Sequence, residues 1–230
     1  MRPPDKERIV RQFVDEIFYI NLAEDDGRRR SIVEQLDAAG VGRYSHVEGV
    51  RLLYPFAYGG LSLLPGGVGC TLSHLRIYRM MADKGIETAL VLEDDADLHA
   101  DFAGLLARCL VDLPARYDIL YLHNRNTGRV LDDSRRFVRQ VRLAPLGTHA
   151  YVVRRRVAEA MLSSRDADLF QVVEAYRDEG ASGEVKRAFQ IDLLLRHVLR
   201  RRYRIFQTKE CLASQGRLQS SARKINQSFR

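Results

Sequence analysis

The 230-residue sequence lacks a long apolar segment, has few cysteines and shows no export signal at its start. No stretch approaches the roughly 18 consecutive apolar residues that a membrane-spanning helix needs, so we expect that the chain does not cross a bilayer. Residues 9–16 lack the uninterrupted apolar core of a secretory signal, which predicts a cytoplasmic protein. The three cysteines, Cys70, Cys109 and Cys211, are widely spaced and indicate neither a disulfide framework nor a zinc knuckle. We expect them to be reduced and structural.

The sequence also lacks the glycine motifs that bind nucleotide phosphates. Residues 44–69 are rich in loop formers and contain Gly59-Gly60 and Pro65-Gly-Gly-Val-Gly69. Their spacing matches neither the dinucleotide fingerprint nor the P-loop, because no Lys-Ser or Lys-Thr pair follows. These glycines alone therefore predict no phosphate site.

Acidic residues are nearly absent from the C-terminal part of the chain. The formal net charge is +7, and residues 196–230 contain ten Arg or Lys residues against the single acid Glu210. This bias indicates an anionic partner, which can be a membrane surface, a phosphorylated acceptor or nucleic acid. A solvated, partly disordered end is the alternative. Nucleic acid is the least favoured partner, because the arginines are not interleaved with aromatic residues and no recognition motif is present.

Four acids end an apolar run of strand length at Ala89-Leu-Val-Leu-Glu-Asp-Asp-Ala-Asp-Leu98. The pattern predicts a buried strand whose C-terminal end opens onto a polar site, where ligands bind in open α/β sheets. If the extended backbone continues through the acids, Glu93, Asp95 and Asp97 share one face and Asp94 lies on the other.

Carboxylates this close together repel each other unless a cation lies among them. Their oxygens suit Mn²⁺ or Mg²⁺ better than Zn²⁺. We therefore predict a divalent cation held by Asp95, Glu93 and Asp97. The alternative is an acidic cluster that only caps the next helix, a role that Asp101 can fill.

Strand and helix patterns alternate along the chain, which predicts an α/β domain with a mostly parallel central sheet flanked by helices. We expect one domain over residues 16–215, after a leader of no clear fold (1–15) and before a basic tail (216–230). The segment 163–188 is polar and is expected to be a mobile flap or an inserted helix pair. The predicted strands cover residues 17–22, 117–122, 137–143, 147–153 and 203–206, besides the strand before the acids.

Four motifs resemble glycosyltransferase family 25, which contains bacterial lipooligosaccharide glycosyltransferases and collagen galactosyltransferases. In order, they are Ile17-Phe-Tyr-Ile-Asn-Leu22 with Arg28-Arg29, Gly69-Cys-Thr-Leu-Ser-His-Leu75, Leu92-Glu-Asp-Asp95 and Gly147-Thr-His-Ala-Tyr151. Four motifs in the right order are more specific than any one of them. The resemblance covers roughly residues 16–215 and implies a GT-A-type nucleotide-sugar-binding fold.

The resemblance also implies roles for individual residues. It places donor-binding side chains at Asn21, Arg28, Arg29, Ser73, His74, Glu93 and Asp94. Asp95 and its neighbours match the acidic motif that holds the metal, whereas Asp97 is an addition that the family pattern does not require. A cation and an arginine at this place would stabilise the departing diphosphate.

Inversion in one displacement needs a base beside the acceptor hydroxyl. Asp192 resembles the late acidic position of the family and is our first choice, with His149 as the second. Asp192 can equally be a helix cap, and His149 can be a core histidine with satisfied hydrogen bonds.

We therefore expect an inverting glycosyltransferase of lipopolysaccharide or lipooligosaccharide biosynthesis. It would move a sugar from a nucleotide-sugar donor, UDP-linked in most of the family, to a saccharide, lipid-linked or protein acceptor. The basic tail would place it peripherally at the inner membrane face. Two alternatives stay open, namely a non-catalytic GT-A-fold protein that binds a partner through its basic C-terminus, and a nucleotidyltransferase.

Overall fold

The computed structural model describes residues 3–54, 56–58, 61–125, 129–163, 190–200 and 202–216. The helices are α1 (Pro3–Phe13), α2 (Asp26–Ala39), α3 (Pro65–Lys84), α4 (Phe102–Asp112), α5 (Arg155–Leu162) and α6 (Ile191–Leu199). The strands are β1 (Glu16–Asn21), β2 (Ser45–Glu48), β3 (Phe56–Tyr58), β4 (Leu61–Leu63), β5 (Thr88–Glu93), β6 (Ala96–Leu98), β7 (Ile119–Tyr121), β8 (Val130–Asp132), β9 (Val138–Val141), β10 (Ala150–Arg154), β11 (Ile205–Thr208) and β12 (Ala213–Gln215).

Eight of the described strands form one sheet in the order β2-β1-β5-β10-β7-β11-β9-β8. Six of them run in the same direction, and β10 and β9 run the opposite way. Two small antiparallel pairs, β12 with β6 and β3 with β4, lie outside this sheet. The predicted α/β class, with a mostly parallel central sheet flanked by helices, is confirmed, and the GT-A type stays a prediction.

The central strand β5 is buried on both faces, as its continuous apolar sequence predicts. Leu90 and Leu92 point into a core layer that contains the apolar faces of α1, α2 and α4. Ala89 and Val91 point into the opposite layer, which contains those of α3, α5 and α6. Helices on both faces therefore leave only the two ends of β5 close to solvent. None of the described helices has the length and apolar character needed to cross a bilayer.

Helix α3 begins at Pro65, whose fixed φ suits the first helical turn, and it ends before Gly85 at φ 67°. Its glycine-rich first turns lower its intrinsic helix propensity, and the loss is offset by packing. Ser73 and His74 lie in the third turn of this helix, and both are buried.

Residues 3–13 form helix α1, whereas the sequence predicted a leader of no clear fold over residues 1–15. Helix α1 packs against α4, and Val10 and Val14 are fully buried in the core. Asp101 occupies the N-cap position of α4 but makes no side-chain capping bond, and it pairs instead with Lys6 and Arg108. The predicted domain boundaries stay predictions. The segment 164–188 and the tail beyond residue 216 lie outside the described residues.

Candidate functional site

A cleft opens at the C-terminal ends of β1 and β5, beside the first half of α3. This is the edge of an α/β sheet at which ligands bind, because several parallel strands deliver their last side chains there. Its walls come from β1, α2, the loop after β2, α3 and the acidic turn after β5. The lining residues are Ile20, Asn21, Leu22, Arg28, Gly49, Val50, Leu52, Pro65, Gly66, Cys70, Ser73, His74, Glu93, Asp94 and Asp95.

The glycines at the start of α3 let the helix approach the loop after β2. A Cβ atom at Gly69 would lie 2.4 Å from the Val50 carbonyl oxygen, so only glycine fits. The Ser73 hydroxyl strengthens the same contact, since it accepts a hydrogen bond from the Val50 amide at 2.8 Å and donates to the Gly69 carbonyl at 2.7 Å. Ser73, predicted to bind the donor, lines the cleft, but its hydroxyl is already hydrogen-bonded to the backbone of Val50 and Gly69.

Asp94 is held by β1 and α2. Its carboxylate accepts a hydrogen bond from Asn21 Nδ2 at 2.8 Å and one from the Arg28 guanidinium at 3.2 Å. Arg28 also pairs with Asp25 at 3.3 Å. Burial raises the pKa of Asp94, and the hydrogen bond from Asn21 and the charge of Arg28 offset part of that rise. Three predicted donor residues, Asn21, Arg28 and Asp94, therefore meet in one network.

Glu93 ends a second network, which runs across the sheet. Its Oε1 accepts a hydrogen bond from Thr148 Oγ1 at 2.7 Å and lies 3.3 Å from His74 Nε2. The other ring nitrogen of His74 lies 2.8 Å from the Tyr151 hydroxyl, which contacts the Tyr78 hydroxyl at the same distance. Burial favours a higher pKa for Glu93, but the hydrogen bond and charge of His74 and the bond from Thr148 together lower it. Glu93 is therefore held as a carboxylate at neutral pH.

Asp95 is a buried acid of the cleft whose side chain has one hydrogen-bond partner among the described residues. Its Oδ2 accepts a hydrogen bond from Gln215 at 3.0 Å, whereas the buried Oδ1 has no partner among the described residues. Burial and then the charges of Glu93 and Asp94 raise the pKa of Asp95 to about 7. The buried Oδ1 of Asn21 is likewise unpaired within the described part of the chain.

These two oxygens meet the chemical requirement for a hard divalent cation. Mn²⁺ and Mg²⁺ prefer carboxylate and amide oxygens, and Asp95 and Asn21 offer one unpaired oxygen each on the lining of the same cleft. Glu93 adds a carboxylate beside them. The chemistry of these oxygens therefore suits the predicted cation, whereas Asp97 lies outside the cleft lining.

Asp97 and Arg29 are not part of the cleft lining, although both were predicted site residues. The backbone turns at residues 94 and 95, so the extended geometry that would align Asp97 with Glu93 is interrupted. Asp97 lies in β6, is exposed, and pairs across strands with Ser214. Arg29 is exposed because it is one position along α2 from the buried Arg28, which turns it by about 100°.

The two candidate bases have different surroundings. Asp192 Oδ2 accepts a hydrogen bond from the Gly147 amide at 3.1 Å, and burial raises its pKa. His149 is buried, and its Nε2 lies 3.1 Å from the Ala213 carbonyl, to which it can only donate. Burial lowers the pKa of His149. The surroundings of His149 match the core histidine that the sequence left as its alternative.

Among the residues that sequence reasoning missed are Cys70 on the cleft lining and Thr148, Tyr151 and Gln215 in the networks. The first three stand inside the family motifs, which is the signal that could have found them. Gln215 carries no comparable signal. It reaches Asp95 because β12 pairs with β6 and the Gly216 amide donates to the Asp95 carbonyl at 2.7 Å.

The chain is similar to known glycosyltransferases. Residues 57–169 match the model of the family described as "Glycosyltransferase family 25 (LPS biosynthesis protein)". The human protein named "Inactive glycosyltransferase 25 family member 3" is 32% identical over 133 residues, which are 50% of this chain and 22% of that protein. "Procollagen galactosyltransferase 1" of Danio rerio is 32% identical over 127 residues, 47% of this chain and 21% of that protein.

This chain thus spans about a fifth of the length of these curated relatives. A solved structure described as "a glycosyltransferase involved in the glycosylation of the major capsid of PBCV-1" is similar with 12% identity and a TM-score of 0.40. That likeness covers 93% of this chain and 97% of the other. Three of the four sequence motifs, at residues 69–75, 92–95 and 147–151, lie within the stretch that the family model matches, and the predicted resemblance to glycosyltransferase family 25 is therefore confirmed.

Proposed function

We propose that this chain is an inverting glycosyltransferase that binds a nucleotide-sugar donor in the acidic cleft. The observation that carries the proposal is the convergence of Asn21, Arg28, Glu93, Asp94 and Asp95 from three elements onto one edge of the sheet. A carboxylate cluster with an arginine and two unpaired buried oxygens suits a diphosphate that arrives with a cation. The family match supports a glycosyl donor over other diphosphates.

Each residue of the cleft has a distinct part in donor binding. Arg28, fixed by Asp94 and Asp25, presents positive charge beside the position proposed for the diphosphate. Asp95 and Asn21 would hold Mn²⁺ or Mg²⁺, with Glu93 beside them. When bound, the cation would neutralise the charge that develops on the departing diphosphate. The cleft walls keep bulk water from these groups, which strengthens every electrostatic interaction inside.

Asp192 is the proposed base. In a single displacement the acceptor oxygen forms a bond to the anomeric carbon while the bond from that carbon to the phosphate oxygen breaks, and the hydroxyl proton goes to the carboxylate. The raised pKa of Asp192 supports this role, because a more basic carboxylate takes the proton more readily. Its bond to the Gly147 amide fixes it next to Thr148, and hence next to Glu93.

The donor nucleotide and the acceptor belong to the same proposal. We take the donor to be UDP-linked. We take the acceptor to be a saccharide or lipid-linked saccharide of lipopolysaccharide type. A protein acceptor is the alternative, and the name of the Danio rerio relative supports it. We also place the protein in the cytoplasm with peripheral contact to anionic lipid, a proposal that the basic C-terminal residues support. Reversing the charge of Arg223 and Lys224 should then reduce sedimentation with anionic vesicles, and unchanged sedimentation would remove the membrane contact.

The testing experiment measures thermal stability with a panel of nucleotide sugars, each with and without Mn²⁺. We expect one donor at about a hundred times its Kd to raise Tm by about 5–10 °C, because ligand binding then adds about 2.7 kcal/mol. The shift should need the cation, disappear in Asp95→Asn and persist in the matched control Asp97→Asn. No shift with any donor would overturn the proposal.

A non-catalytic binding protein is the second candidate, because the human relative carries the word inactive in its name. Nucleotide release from the selected donor, measured with and without a saccharide acceptor, separates the two. A transferase releases nucleotide and loses that activity in Asp192→Asn, whereas a binding protein gives the thermal shift without turnover.

A further inference from the structure

Cys70 stands next to two side chains of the cleft that commonly bind metals. Its Sγ, one ring nitrogen of His74 and a carboxylate oxygen of Glu93 all lie within 4.8 Å of one another. Cys70 and His74 are four residues apart on α3 and therefore share a helix face. Donor binding as proposed above makes no use of the thiol.

The distances require only a small adjustment to surround one ion. In a tetrahedral zinc site with metal–ligand bonds of about 2.0–2.3 Å, neighbouring ligand atoms are about 3.3–3.7 Å apart. His74 Nε2 and Glu93 Oε1 already have this spacing, at 3.3 Å. The Cys70 side chain can rotate about a single χ angle, and it lines the cleft from which an ion would enter.

Outer contacts orient the two other ligands. A metal-binding histidine usually donates its second ring N–H to a fixed acceptor, and His74 Nδ1 faces the Tyr151 hydroxyl at 2.8 Å. Glu93 Oε1 accepts a hydrogen bond from Thr148 Oγ1 at 2.7 Å, which fixes the carboxylate and leaves that oxygen a second lone pair for a metal. With Nε2 on a metal, His74 Nδ1 would donate to Tyr151, which would in turn donate to Tyr78, so that the hydroxyl chain stays hydrogen-bonded.

The charge around Cys70 also favours a cation. Besides Glu93, the carboxylates of Asp94, Asp95 and Asp192 act on the thiol. Burial and these charges disfavour a bare thiolate. A divalent ion reverses that balance, because it compensates both the thiolate and its acidic neighbours.

We propose that Cys70, His74 and Glu93 form a three-ligand site for Zn²⁺, distinct from the oxygen ligands Asn21 and Asp95. A thiolate and an imidazole select Zn²⁺ over Mn²⁺ and Mg²⁺, and three protein ligands leave a fourth position for water. Binding releases the thiol proton to solvent as the sulfur–metal bond forms. The site does not depend on the proposed function. If the chain is a transferase, Zn²⁺ bound at this site occupies the carboxylate of Glu93, which is then no longer available for donor binding, and the ion inhibits the enzyme.

Co²⁺ serves as a spectroscopic probe for the test, since a thiolate ligand gives it a charge-transfer absorption band. The intact chain and Asp95→Asn should both show the band, bleached by one equivalent of Zn²⁺. Cys70→Ser should lose it, and the matched control Cys211→Ser should keep it. The absence of a band in the intact chain, or its persistence in Cys70→Ser, overturns the proposal. Loss of the donor-dependent thermal shift in Asp95→Asn, with the cobalt band intact, separates the two sites.

A second measurement needs no variant and therefore does not depend on the folding of Cys70→Ser. The intact chain is alkylated with iodoacetamide, and each cysteine is followed by mass spectrometry. We expect one equivalent of Zn²⁺ to slow modification of Cys70 at least tenfold, and Mn²⁺ or Mg²⁺ to leave it within twofold. Cys211, also partly exposed, is the internal control. Equal modification of Cys70 with and without Zn²⁺ would contradict the site.

Discussion

The carboxyl group of Asp95 should make the metal-free protein less stable as the pH rises. In the unfolded chain an aspartate loses its proton near pH 4, whereas burial and the charges of Glu93 and Asp94 raise the pKa of Asp95 to about 7 in the folded chain. Between these values the folded state holds one more proton than the unfolded state. The free energy of unfolding therefore falls by about 1.4 kcal/mol per pH unit, and it stops falling once the folded group ionises.

Asp95→Asn removes this pH dependence without removing the acceptor for Gln215. Because the folded group is half ionised at pH 7, the stability of the variant relative to the natural chain should rise by about 2 kcal/mol from pH 5 to pH 7 and by less than about 0.5 kcal/mol from pH 7 to pH 8. The measurement is urea unfolding in EDTA at pH 5, 7 and 8. Asp97→Asn, on the exposed strand β6, is the control and should give the same difference at each pH. A pH-independent difference for Asp95→Asn would refute the reasoning.

Addition of Mn²⁺ extends the same experiment. A cation on Asp95 favours the charged form, so it should restore stability to the natural chain at pH 8 and have no such effect on Asp95→Asn. Equal stabilisation of both proteins would place the cation on other ligands.

Two further changes test the network around the cleft and the backbone beside it. Arg28→Gln leaves the carboxylate of Asp94 buried without its cation and should cost about 3 kcal/mol in urea unfolding at pH 7, whereas the exposed Arg29→Gln should stay within about 0.5 kcal/mol. An equal loss of unfolding free energy in Arg28→Gln and Arg29→Gln would mean that Asp94 is solvated. Gly147→Ala forces a Cβ onto a residue at φ 104° and should destabilise by about 1–3 kcal/mol, while Gly27→Ala, with open space in helix α2, should stabilise by about 0.5–1 kcal/mol. An unchanged free energy of unfolding for Gly147→Ala in urea would contradict that backbone conformation.

The acidic end of β5 could be predicted from the sequence because local and tertiary signals agree there. A continuous apolar run must be buried on both faces, and the first polar residues after it must reach an edge of the sheet. Asn21 ends β1 beside β5 for the same reason. Glu93, Asp94 and Asp95 therefore fall where the pattern placed them, on the cleft lining.

Helix periodicity could have corrected the choice between the two arginines. Arg28 is four and eight residues before Ile32 and Leu36, and all three lie on the buried face of α2. Arg29 lies off that face. The position of Asp97 could not be predicted in this way, because the sequence from Glu93 to Asp97 is compatible both with an extended strand and with a turn at Asp94 and Asp95.

Contacts between distant segments were beyond sequence reasoning. His74 and Tyr151 meet because antiparallel β10 lies next to β5, a pairing that no local pattern specifies. Gln215 reaches Asp95 only through the small β12–β6 pair. Both contacts depend on which strands become neighbours, and a single sequence does not encode that in its periodicity.

The bond between the Gly216 amide and the Asp95 carbonyl has a practical consequence for protein engineering. A Cβ at Gly216 would lie 3.1 Å from that oxygen, so the chain passes the acidic turn with no room to spare. A deletion starting at residue 217 would place a new terminal carboxylate beside Asp95 and Asp97. The negative charges of these three groups would repel one another. C-terminal truncations and tags joined at this point therefore perturb the acidic cleft itself.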